Sequence, residues 1–262
     1  MPTARMTGFA DRLRGKVAII TGSGGSIGRA ACLRFAAEGA AVVGCDLQSD
    51  AAAATVKAVE EIGGIIDSLH PCDLTEPDDA QALVDLALAR FGRIDVLYNN
   101  AAMAHFAWFD AMDHDLFSRT IRDELEILFH LTKCVWPHFV AQRSGAIVNT
   151  ASVSASICYA VVPGLAHSTA KAGVLGMTRH LAMEGAPHGI RVNSVSPGLV
   201  RTNQSEALLA DVTWAGAMLS KIMLDRFGTP DDVAAAAAFL ASDDAAWITG
   251  TDLAVDGGTM AW

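Results

Sequence analysis

Positive charge is scarce in this 262-residue chain: 19 Lys and Arg stand against 29 Asp and Glu, a formal charge of −10. So acidic a surface repels a phosphate backbone, so no nucleic-acid partner is expected, and an anionic membrane surface is excluded on the same ground. Long apolar runs are missing too. The Ala234–Ala241 run is far too short to span a bilayer, and no apolar stretch follows Arg5, Arg12 and Arg14 to make a signal peptide. The five cysteines, Cys32, Cys45, Cys72, Cys134 and Cys158, form no CxxC pair. An odd, scattered set reads as reduced thiols and excludes a disulfide frame or a zinc site. His70, His114, His130, His138, His180 and His188 show no metal-ligand spacing, so no metal is expected. Together these absences point to a soluble cytoplasmic protein.

What is present is core-forming material. Hydrophobic residues make up 52% of the chain and charged ones 18%, which rules out disorder for its bulk. Short β-branched runs (Val17–Ile20, Ala41–Cys45, Ile65–Leu69, Val96–Tyr98, Ala146–Asn149, Arg191–Val195, Asp252–Val255) alternate with helical patterns (Ile27–Ala37, Ala51–Ile62, Pro77–Phe91, Phe117–Gln142, Ser168–Glu184, Pro230–Leu240). Apolar strands spaced by helices predict an α/β fold with a doubly wound, seven-stranded parallel sheet of Rossmann type. No linker or composition break divides residues 1–262, so one domain is expected, with residues 1–13 as an N-terminal extension. The helical, apolar stretch 202–227 interrupts the alternation. It follows a strand end, where ligands bind, and reads as a substrate lid.

After the first strand comes Thr21-Gly22-Ser23-Gly24-Gly25-Ser26-Ile27-Gly28, opening a helix. Glycines here permit a tight turn, close approach of backbone N–H groups to a pyrophosphate, and tight packing of helix on strand. Asp46 ends the second strand, 18 residues past Gly28. Its carboxylate can accept hydrogen bonds from the adenosine ribose and repel a 2′-phosphate. Leu47 and Gln48 follow it, with no Arg or Lys, so NAD is expected over NADP.

From these residues onward the chain resembles the short-chain dehydrogenase/reductase family over about residues 14–258. The likeness is carried by the Thr21–Gly28 turn, Cys72-Asp73-Leu74, Asn99-Asn100-Ala101-Ala102, Ser152 after Ile147-Val148-Asn149, Lys171, Pro197-Gly198 with Thr202, and Val255-Asp256-Gly257-Gly258. The resemblance implies that Asp73 and Leu74 lie near the adenine, that Asn100 and Ala101 line the cofactor cleft beside Asn99, and that Lys171 holds the nicotinamide ribose. It implies Pro197, Gly198, Val200 and Thr202 around the carboxamide, Ser152 on the substrate oxygen, and a homotetramer or homodimer.

Three positions depart from the family pattern. Ser26 replaces the turn's middle glycine. Glu124 stands at the catalytic asparagine's place, and His167, four residues before Lys171, at the catalytic tyrosine's. Four residues on a helix put two side chains on one face, so His167 and Lys171 can share a site as Tyr and Lys would. Imidazole, with an unperturbed pKa of about 6.5, can take a proton from an alcohol or return one to a ketone, and Glu124 is expected to orient it or to pair with Lys171.

His105 and Trp108, in the loop after Asn99–Ala102, with Trp214 and Met218 from the lid, suggest an apolar substrate pocket. Ser154 competes with Ser152, and Tyr159 borders the crevice. The function expected is an NAD-dependent oxidoreductase interconverting a secondary alcohol and a ketone on a fairly apolar small molecule. The alternatives are non-redox proton transfer by His167 and Glu124, as in a lyase, dehydratase or hydrolase, or an inactive NAD-binding scaffold.

Overall fold

The computed structural model describes residues 11–262; most of the predicted N-terminal extension, including Arg5, lies outside them. The end of that extension belongs to the fold, since Leu13 is fully buried in the core and Arg12 forms an ion pair with Glu38 at 2.6 Å.

Seven strands form one parallel sheet: β1 (Val17–Thr21), β2 (Ala41–Cys45), β3 (Ile65–Leu69), β4 (Val96–Asn99), β5 (Gly145–Thr150), β6 (Ile190–Pro197) and β7 (Asp252–Val255). Their order is β3-β2-β1-β4-β5-β6-β7. The chain runs outward from β1 to β3, then crosses back to begin again at β4. That reversal leaves a crevice beyond the carboxyl ends of β1 and β4, the place where open α/β sheets bind ligands.

The helices α1 (Ser26–Ala37), α2 (Ser49–Glu61), α3 (Pro77–Phe91), α4 (His114–Ile121), α5 (Ile127–Gln142), α6 (Leu165–Gly185), α7 (Glu206–Leu209), α8 (Val212–Leu219) and α9 (Pro230–Ala241) cover the sheet. The central strands β1, β4 and β5 are buried along their whole lengths because both sheet faces are covered. On one face Phe35 stacks on Tyr98, with ring centroids 6.1 Å apart, among alanines of α1 and α9. On the other Leu83, Leu131, Phe139 and Ile147 pack together. α3 begins at Pro77 and ends on Gly92 at φ 73°, the left-handed stop that glycine adopts without strain.

One predicted helix is broken. The sequence pattern gives Phe117–Gln142 as continuous, but Arg122–Glu126 is a π-helical turn between α4 and α5. The wider turn inserts an extra residue and changes the direction in which Asp123 and Glu124 point. The predicted lid, 202–227, contains only the short helices α7 and α8. It leaves and returns at one place, where Val200 bridges Gly228 and the Gly228 carbonyl accepts from the Arg201 amide at 2.9 Å.

Candidate active site

The β1 side of the crevice is shaped by backbone. Gly22 holds φ +70°, and a Cβ on Gly28 would lie 1.9 Å from the Gly22 carbonyl oxygen. A Cβ on Gly24 would lie 2.8 Å from that of Ala51. No side chain caps α1, so the first-turn amides of Ser26, Ile27 and Gly28 offer donors to an anion. The Asp46 carboxylate accepts from the amides of Gly24 at 2.9 Å and Gln48 at 2.8 Å, which fixes it at the end of β2 beside exposed Leu47. Thr21 ties the turn to β4: its hydroxyl accepts from the amides of Asn100 and Ala101, both at 2.9 Å, and its carbonyl accepts from the Asn100 side chain at 3.0 Å. Asp73 accepts from the amide and hydroxyl of Thr75, at 2.9 and 2.7 Å, and His130 Nδ1 lies 3.2 Å from the Leu74 carbonyl.

The other side is shaped by charge. The π-turn delivers Glu124, 2% exposed, to the face of α6 that carries His167 and Lys171. His167 Nδ1 lies 2.8 Å from Glu124 Oε2 and 3.0 Å from Oε1. Lys171 Nζ, on a residue 3% exposed, lies 3.7 Å from Glu124 Oε1 and donates to the Thr150 carbonyl at 3.1 Å. Burial pulls the Lys171 pKa below the usual lysine value, and the Glu124 carboxylate opposes that shift. Glycine at 173 lets the two segments approach, since a Cβ there would stand 2.7 Å from a methyl of Leu125. Below the site, Asn99 donates to Thr132 at 3.2 Å and Asn149 at 2.9 Å, and Asn149 donates to Thr178 at 2.9 Å.

Residues 22–260 match the family model described as enoyl-(acyl carrier protein) reductase. The chain is 38% identical over 249 residues to a 3-oxoacyl-(acyl-carrier-protein) reductase of Thermotoga maritima, covering 95% of this chain and 99% of the relative. It is 38% identical over 252 residues to 3β-hydroxysteroid dehydrogenase 1 of Eggerthella lenta, covering 95% of each. The solved structure of a 7α-hydroxysteroid dehydrogenase with NADH and 7-oxo glycochenodeoxycholic acid has a TM-score of 0.90 at 33% identity, covering 94% of this chain and 95% of that one. The chain belongs to the short-chain dehydrogenase/reductase family.

It is therefore an oxidoreductase of a family that acts on alcohols and ketones with a nicotinamide cofactor. The residues of this short-chain dehydrogenase/reductase fit such a group. The uncapped first turn of α1, with its free amides, suits a pyrophosphate. Pro197 ends β6, and Gly198 is required where it stands, since a Cβ would lie 2.8 Å from the Asp256 Cα. Thr202 is bound into a turn with Ser205, whose hydroxyl donates to the Val200 carbonyl at 2.7 Å.

The predicted substrate residues divide. Ser152 caps the short helix 153–155 and accepts from the Ser154 amide at 3.1 Å, leaving its own proton free to donate. His105 Nε2 lies 3.1 Å from Asp123, next to Glu124 on the π-turn. Trp108 is exposed, Trp214 half-buried and Met218 buried. Tyr159 turns to Thr259 and Asp256, and burial, with the Asp256 charge, raises its pKa. The other tyrosine, Tyr98, is buried in the core against Phe35, which pushes its pKa far up.

Sequence reasoning missed the π-turn, Asp123, Ser205 and the contact of Phe106 with His167, whose rings lie 5.6 Å apart. A π-turn has no sequence signature of its own. Phe106 was within reach, since it adjoins His105 in the loop already singled out.

No helix among the described residues is long and apolar enough to cross a membrane.

Proposed function

We propose that this enzyme is NAD-dependent, interconverts a secondary alcohol and a ketone on a fairly apolar small molecule, and uses His167 as its acid/base. The observation that carries the reading is the His167 Nδ1–Glu124 contact of 2.8 Å, one helical turn from Lys171. A ring whose Nδ1–H donates to a carboxylate keeps a lone pair on Nε2 for the proton of a substrate hydroxyl. The Glu124 charge then stabilises the imidazolium as it forms. Neither tyrosine competes, one being sealed in the core and the other held at the C-terminal segment.

When bound, NAD supplies the carbon that accepts hydride. The chain supplies the rest. Ser152 donates to the substrate oxygen, His167 takes the hydroxyl proton, and Lys171 holds the nicotinamide ribose. Lys171 stays anchored to Thr150 while the Glu124 charge opposes the effect of its burial. The fixed Asp46 carboxylate selects NAD, because it binds ribose hydroxyls and repels a 2′-phosphate. Met103 and Trp108 after β4, and Leu208 and Val212 in segment 202–227, expose apolar surface; we assign them to the wall and lid of the substrate pocket.

The test is an NADH-formation screen over secondary, hydroxysteroid and aromatic alcohols with the wild type, His167→Ala and His167→Tyr. His167→Ala is expected to lose about 10²–10⁴-fold in kcat, the usual contribution of a positioned acid/base. His167→Tyr is expected to shift the pH–rate profile to higher pH, toward phenol chemistry. Activity confined to His167→Tyr would show a disabled dehydrogenase and end this reading. Turnover without net NADH would favour non-redox proton transfer.

A further inference from the structure

Ser26 joins the two parts of the crevice that bind and cover. It is the first residue of α1, and its Oγ accepts a hydrogen bond from the backbone N–H of Asn203 at 3.1 Å, at the root of segment 202–227. That root is a small, tightly bonded turn. The Ser205 hydroxyl donates to the Val200 carbonyl at 2.7 Å, and the Thr202 amide donates to Ser205 at 2.9 Å, so the turn fixes where the Asn203 amide points.

A hydroxyl has one proton to donate and two lone pairs to accept with. Asn203 occupies a lone pair, and no hydrogen bond among the described residues uses the proton. It stands beside the first-turn amides of an uncapped helix, which offer donors to the same anion.

We propose that Ser26 is a positioning residue that links cofactor binding to the 202–227 segment, an inference that rests on the NAD reading above. The Ser26 O–H donates to a pyrophosphate oxygen while Oγ accepts from the Asn203 N–H. Donation polarises the oxygen and strengthens its acceptance, so a bound dinucleotide tightens the root of the segment. By linkage, the segment's contact raises cofactor affinity by the same factor. The glycine that the family pattern places here would leave both neighbours unlinked.

Trypsin reads this directly, because Lys221 and Arg226 are exposed within the segment and Arg201 immediately precedes it. In the wild type, saturating NAD is expected to slow cleavage at Lys221 by up to about twofold, the gain that polarisation adds to a hydrogen bond already formed. In Ser26→Ala, which keeps a good helix former at this position, that ratio is expected to fall to about one, and the NAD dissociation constant from titration calorimetry to rise by about fivefold. Asn203→Ala keeps the amide donor and is expected to retain wild-type protection. If NAD binds and protects Ser26→Ala as well as it does the wild type, the bridge is overturned while the cofactor reading stands. If NAD fails to bind the wild type, both fall together.

Discussion

On the β1–β3 side of the crevice, position is set by backbone: glycines without room for a Cβ, a threonine hydroxyl holding two amides, and a carboxylate pinned by two more. On the β4–β6 side, position is set by buried charge. Glu124 holds His167 and Lys171 together from a π-turn that belongs to neither partner's helix. The first side leaves little room for a change in shape, and the second is expected to tolerate little change in charge. On the proposed reading this difference suits two tasks, a diphosphate bound the same way in every cycle and a proton moved between groups whose charges alternate.

The largest effect should come from shape. Gly28→Ala forces a Cβ to 1.9 Å from the Gly22 oxygen, a clash with backbone that no rotamer relieves. Overpacking usually costs about 1–3 kcal/mol, and a backbone clash belongs at or beyond the upper end. Calorimetry is expected to show the loss in Tm, and NAD titration the loss of binding. Near-normal Tm and NAD affinity would show that the turn yields, and the contrast between rigid and charged halves would fail.

Charge should come next. Glu124→Gln preserves volume and removes the negative charge that faces both His167 and Lys171. Breaking a buried ionic arrangement from one side costs about 3–5 kcal/mol in the severe cases; the glutamine's own hydrogen bonds place this change below that range. A fall of about 10²-fold in kcat is expected, with NAD affinity nearly unchanged, the reverse of the Gly28→Ala pattern. The pH dependence has a definite sign. Burial lowers the Lys171 pKa and Glu124 opposes it, so removing Glu124 lowers it further. Between the folded and unfolded values the unfolded chain binds more protons, and stability rises with pH. The variant's deficit against wild type should therefore shrink from neutral pH toward the unfolded lysine value, about 10.4. A deficit that grows with pH would show that Glu124 does not support the Lys171 charge.

The same division explains what could be read from sequence. The strands and the glycine turn follow from local patterns: apolar runs with both faces covered, and glycines at spacings that a strand–turn–helix needs. Asp46 was legible for the same reason, at the end of its strand. The pairing of His167 with Glu124 was accessible only as a hypothesis, because 43 residues separate them. The four-residue spacing of His167 and Lys171 gave their common face, but the π-turn that brings Glu124 to it lies inside what reads as one uninterrupted helix. Side-chain networks such as Asn99–Asn149–Thr178 arise from sheet register, which no single segment encodes.

Phe106 offers the smallest and sharpest test of the charged side. Its ring meets that of His167 at 5.6 Å, tilted by 53°, and its loop is fastened to the π-turn by the Met103 amide on the Asp123 carbonyl at 3.3 Å and by His105 on the Asp123 carboxylate at 3.1 Å. The π-turn therefore holds His167 directly through Glu124 and indirectly through the loop that Asp123 secures. A tilted aromatic pair contributes about 0.5–1.5 kcal/mol beyond area, and Phe106 is 51% exposed, which argues for the lower end. Phe106→Ala is thus expected to lower kcat by about twofold to fivefold. The way that loss divides decides the role. A ring that steadies His167 takes its effect in kcat with KM nearly constant, because the proton transfer geometry changes and substrate contact does not. A ring that is only pocket wall raises KM and leaves kcat alone. In the second outcome Glu124 alone would position His167, and the charged side of the crevice would need no apolar support.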